Sequence, residues 1–128
     1  MTIELENTIN DANIERLVRI FYPEVLEDDI VGPFFIEKLG SDISSAEWEK
    51  HLVLLSQFWA FVALGDEAYA GHPLSPHFEM EGISRKAFEQ WLKLFHEAVE
   101  KIYTEKIGIF FKTKSTDIAE NFMRKLEL

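Results

Sequence analysis

At 128 residues, 47% of them hydrophobic, the chain is long enough for a single domain spanning residues 1–128. Such a domain buries roughly two-thirds of the surface of its unfolded chain. A net charge of −10, spread along the sequence, makes nucleic acid and anionic membrane surfaces poor partners, and the absence of cysteine excludes disulfides, thiolate catalysis and Cys-ligated zinc or iron–sulfur sites. The acidic opening MTIELENTINDANIE holds no signal-peptide core, and no apolar run approaches the ~20 residues of a membrane span, so a soluble, cytoplasmic protein is expected.

The first element is a helix. Ile14, Leu17, Val18, Phe21 and Val25 recur at three- and four-residue steps on one face, and Asp11 is the expected N-cap. Pro23 falls inside this pattern and removes a backbone donor, which predicts a kink or a helix junction there. Gly32-Pro33 ends the segment and opens a short helix through Leu39, because proline suits a first helical turn. The turn-rich stretch from Gly40 to Ser45 follows, and Ser44 or Ser45 caps a long helix from about Ala46 to Leu64. Its inner face reads Trp48, His51, Leu52, Leu55, Phe58, Trp59 and Val62, and Gly65-Asp66 stops it.

Residues 66–83 show no sustained period and carry two prolines and two glycines. A connection of that length in a small domain tends to carry function. It contains Tyr69-Ala70-Gly71-His72-Pro73-Leu74-Ser75-Pro76-His77, in which Pro73 and Pro76 restrict the backbone that presents the His77 imidazole. On its own, His77 is either a metal ligand or an ordinary loop histidine. Ser84 caps a further helix to about Tyr103 with Phe88, Trp91, Leu92, Phe95, Val99 and Ile102 inward. Gly108 interrupts or ends that pattern, and a last helix is expected from Ser115 or Thr116 to Leu126. No β-alternation, repeat or low-complexity segment occurs, so the fold class is all-α, with two antiparallel helix pairs.

Three residues on different helices have polar tips on inner faces: Tyr22, His51 and Trp91. Each has a plain reading as core or rim. Together they would make a polar corner in an apolar pocket, suited to hydrogen-bonding a small iron-bound ligand. Phe34 and Phe35 read by default as core, and His72 and His96 as solvated. No HExxH, helical His pair, Ser-His-Asp set, P-loop or dinucleotide signature is present.

The segments Ile20-Phe21-Tyr22, Gly32-Pro33-Phe34-Phe35, Glu47-Trp48-Glu49-Lys50-His51, Phe58-Trp59, Tyr69-x-Gly71-x-Pro73-x-x-x-His77 and Phe88-x-x-Trp91-Leu92-x-Leu94-Phe95 occur in order. Together they resemble group III truncated haemoglobins of bacteria, over about Ile14 to Phe122. The resemblance implies a truncated globin, a two-over-two helical sandwich enclosing haem b. It implies His77 as proximal iron ligand, Tyr22, His51 and Trp91 as distal polar residues, Leu55 as an apolar distal wall and Phe35 among the haem contacts. The function it implies is binding of dioxygen and other diatomics, such as nitric oxide and carbon monoxide, with slow oxygen release that argues against bulk oxygen transport. The alternatives are a haem redox enzyme acting on nitric oxide or peroxide, which would need a separate reductase, and a cofactor-free helical interaction module.

Overall fold

A computed structural model of the chain describes residues 4–65 and 83–128. Five helices occur among the described residues: α1 Asp11–Glu27, α2 Gly32–Leu39, α3 Ala46–Leu64, α4 Arg85–Ile102 and α5 Glu105–Lys125. Helix α1 packs on α2, α3 and α4, and α4 packs on α5. The α1/α3 pair thus lies over the α4/α5 pair, the all-α sandwich expected. The one strand-like pairing among the described residues is an isolated parallel bridge between Glu6 and Tyr103. No helix of the described residues is long and apolar enough to cross a membrane.

The period read in α1 is its buried face: Ile14, Leu17, Val18, Phe21 and Val25 are each at most 1% exposed. Its N-cap is Asn10, not Asp11. The Asn10 side chain accepts from the Asn13 amide at 2.8 Å, and the Asn13 side chain accepts from the Asn10 amide at 3.1 Å. This reciprocal box satisfies two otherwise orphaned donors, whereas Asp11 sits in the first turn, where its charge suits the helix dipole. Helix α1 also runs through Pro23 without a junction. The lost hydrogen bond is offset by the burial of Phe21, Tyr22 and Val25 on either side of it.

One glycine allows a close crossing. A Cβ on Gly32 would lie 2.8 Å from the Leu26 carbonyl oxygen and 3.0 Å from that of Val25. Both obstacles are backbone, so the α1–α2 corner cannot relax by a side-chain rotation. Gly32→Ala is therefore expected to cost about 1–3 kcal/mol of stability, read as a lower urea midpoint with unchanged slope. Gly108 was expected to interrupt or end a helix. Instead it lies buried inside α5, facing α4, where a Cβ would contact Val99 at 3.4 Å. The helix breaks earlier, at Tyr103-Thr104, because the Glu6 amide and carbonyl pair with Ile102 and Thr104 there.

Ser45 caps α3 through the Trp48 amide, and Ser84 caps α4 through that of Ala87. Gly65 ends α3 in the left-handed region at φ 73°, which favours glycine. The buried tyrosine Tyr103 donates to Asn13 Oδ1 at 2.7 Å, tying the start of α1 to the α4–α5 corner.

Candidate functional site

The site is built where α1, α2, α3 and α4 meet. Tyr22 follows Phe21 on α1 and is 4% exposed. Its ring is enclosed by Phe35 from α2 at 5.7 Å and by Trp48 and His51 from α3 at 5.8 and 5.6 Å. Trp48 and His51, one turn apart, meet edge to face at 5.3 Å, and Trp48 is fixed by its indole N–H donating to the Gly40 carbonyl at 2.8 Å. Phe35 stacks on Trp48 at 6.1 Å and also meets the His51 ring. Aromatic walls of this kind supply apolar area with defined ring orientations.

From α4, Trp91 reaches the same corner. It packs edge-on against Phe21 at 5.1 Å, and its indole lies near enough to the Tyr22 hydroxyl to favour that oxygen's charged form. An indole has only an N–H to give, so in this pair Trp91 can only be the donor and the phenolic oxygen the acceptor. Burial pushes the Tyr22 hydroxyl well above the usual phenol range, with the Trp91 indole acting the other way. The phenol is therefore neutral at any physiological pH, and its own proton stays available for donation.

The structure thus brings Tyr22, His51, Trp91 and Phe35 together. Leu55 lies one turn beyond His51 on α3, half-buried against the main core. His77 and His72 lie outside the described residues, as do the Tyr69–Pro76 residues around them. The sequence puts Trp48 on the inner face of α3 but gives it no part in the site. Its spacing of three from His51 was the available signal.

Among the described residues, no group of three or more His, Asp or Glu converges as a metal site. His96, read from the sequence as solvated, is instead half-buried between α4 and α5, with Nε2 3.3 Å from the Oγ of buried Ser115. Burial and then the Lys112 ammonium hold its pKa below the ordinary 6.5, against a hydrogen bond to the Lys112 backbone and the charge of Glu100. With the folded value depressed, the unfolded chain binds more protons as pH falls through 6.5. Stability should therefore be full above that pH and decline below it, toward the lower folded value. His96→Gln should flatten this slope between about pH 7 and 5 in unfolding titrations. An unchanged slope would remove His96 as its source.

Known proteins then place the chain. The family model described as bacterial-like globin matches residues 6–125. A group 3 truncated hemoglobin of Campylobacter jejuni is 35% identical over 119 residues, covering 93% of this chain and 92% of that protein. The crystal structure of a group III truncated hemoglobin from Campylobacter jejuni superposes with a TM-score of 0.88 at 34% identity, covering 96% of this chain and 95% of that one. With the four-helix sandwich and the Tyr22–His51–Trp91 corner already in place, the family match over nearly the whole length settles the kinship: the chain belongs to the bacterial-like globins.

Proposed function

We propose that this globin holds haem b between its helix pairs and binds dioxygen and other diatomic molecules there, with His77 as the axial ligand. The observation that carries the reading is the buried Tyr22 phenol, paired with the Trp91 indole and set against the His51 ring inside an aromatic wall. A purely structural core has little use for three polar tips at one point, since each must be satisfied at a cost in desolvation.

The residues present fit a haem by their chemistry. Beside His51, the same flank of α3 carries Leu55, Phe58 and Val62, which are large and apolar yet only partly buried, as is Leu94 beyond Trp91 on α4. A flat apolar group suits such a flank, and the polar corner at its edge suits a small charged or polarised ligand. When bound, a haem supplies an iron that takes diatomic molecules at its open coordination position.

The protein's own part is orientation and hydrogen bonding. Trp91 donates to the Tyr22 oxygen and fixes the ring, which leaves the phenolic proton directed to a ligand carrying partial negative charge. His51, edge-on to Tyr22, closes the corner on the α3 side. Phe35 and Leu55 exclude water from it, which strengthens these bonds. The relatives bear the name hemoglobin, and that name supports the same reading for this chain.

The test is an absorption spectrum of the purified protein, before and after haem is supplied. A Soret band that shifts on reduction and again on exposure to carbon monoxide is expected. No Soret band after haem addition would overturn the reading.

A further inference from the structure

Beyond ligand binding, the ring geometry points to a path for electron holes. We infer that Trp91, Phe95 and Trp59 form a conducting stack that carries oxidising equivalents from the pocket corner into the α3–α4 interior. Phe95 is 1% exposed and lies between two indoles. Trp91, on its own helix, stacks on it at 5.1 Å with an interplanar angle of 9°. Trp59, from α3, stacks on it at 5.0 Å and 15°.

What sets the three rings apart is that two stacked contacts share one phenylalanine between two indoles. Phe21 contacts Tyr22, Trp91 and Phe95 in the same core at 71°, 90° and 81°, edge to face, which ring quadrupoles favour alongside offset stacking. The Trp–Phe–Trp series instead sets three ring planes nearly parallel and offset, one after another. Indole is oxidised far more readily than benzene, so the two tryptophans hold the charge and Phe95 couples them. Beyond Trp59 the parallel stacking ends, since Phe111 lies 5.8 Å away and tilted by 58°, and Phe111 in turn stacks on Tyr103 at 4.7 Å and 24°.

Accessibility gives the path a direction. Of the three tryptophans, Trp48 and Trp59 are buried at 0% and 3% exposure, whereas Trp91 is half-buried and touches the pocket hydroxyl. A small oxidant therefore meets Trp91 first. No cysteine is present to intercept the charge as a thiyl radical. The step balances simply: a one-electron oxidant takes an electron from Trp91 and leaves an indole cation radical. An electron then crosses Phe95 from Trp59, restoring Trp91 and leaving the cation radical on Trp59. No proton need cross.

The test uses azidyl radicals, a neutral one-electron oxidant made by radiolysis in aerated solution, on the protein as purified. Each radical becomes azide on taking an electron. The Trp59 cation radical loses its N–H proton, and the resulting radical combines with superoxide and a proton to give N-formylkynurenine, which mass spectrometry locates. Trp59 is expected to be modified several-fold more than equally buried Trp48. Trp91→Phe, which keeps a ring in the stack but removes the oxidisable end, should lower the Trp59 yield several-fold.

Phe95→Leu should also lower it, relative to Trp48 in the same sample, with circular dichroism reporting that the fold is kept. Equal modification of Trp59 and Trp48 in the wild type, or a Trp59 yield indifferent to Trp91→Phe, would overturn the inference. The haem reading is judged separately by the Soret band, so the two fail independently.

Discussion

Replacing Tyr22 with phenylalanine is expected to speed dioxygen release by roughly 5- to 150-fold, the factor equivalent to about 1–3 kcal/mol of lost hydrogen bonding in a dry pocket. The substitution removes one oxygen atom and keeps the ring that Phe35, Trp48 and His51 enclose, so the cage should survive. It also removes the oxygen that the nearby Trp91 indole N–H could serve as donor. That donor then turns to the ligand in part, which places the expected effect below a complete loss of both bonds. Trp91→Phe should act in the same direction through a freer Tyr22, and the double variant should fall short of the product of the singles because the two groups share one bond. Stopped-flow displacement by carbon monoxide measures the rate. An unchanged off-rate in Tyr22→Phe would exclude its hydroxyl from the ligand's surroundings.

How much of this was legible beforehand depends on the range of the information. Helix α1 was, because an apolar face repeating every three to four residues is written locally, and all five residues read that way are buried. Its cap was not, because Asn10 wins over Asp11 only through a bond returned by Asn13. Gly108 looked like a stop since glycine weakens helices by up to ~1 kcal/mol. It is kept in the helix by its burial against Val99 of α4, a tertiary fact. His96 was misread for the same reason, as its burial is supplied by Ser115 on another helix.

The candidate site divides in the same way. Tyr22, His51 and Trp91 could each be picked out as polar tips on inner faces, but their meeting depends on how three helices are rotated about one another. The Trp91–Phe95 spacing of four is visible as a same-face pair. That Trp59 closes on the other side of Phe95, nearly parallel, was beyond any single-helix pattern. Family resemblance supplied the assembly where local chemistry could not.

The larger effect is expected at His77. On the proposed axial role, replacing it with alanine should abolish the wild-type ferrous spectrum, because alanine carries no donor atom to take the place of an imidazole. His72 and His77 flank one short segment that carries Pro73 and Pro76, and the chain has only four histidines. Of the other two, His51 packs against Tyr22 on the polar-corner side and His96 contacts Ser115 between α4 and α5. The decisive comparison is therefore within the segment. His72→Ala should leave the ferrous and carbon monoxide spectra as they are, while His77→Ala should lose them and regain a five-coordinate ferrous form when imidazole is added to the solution. Rescue of that kind separates a missing ligand from a collapsed fold, since a misfolded pocket gains nothing from free imidazole. The reverse pattern would move the assignment to His72, and spectra unchanged in both variants would place the axial ligand elsewhere in the chain.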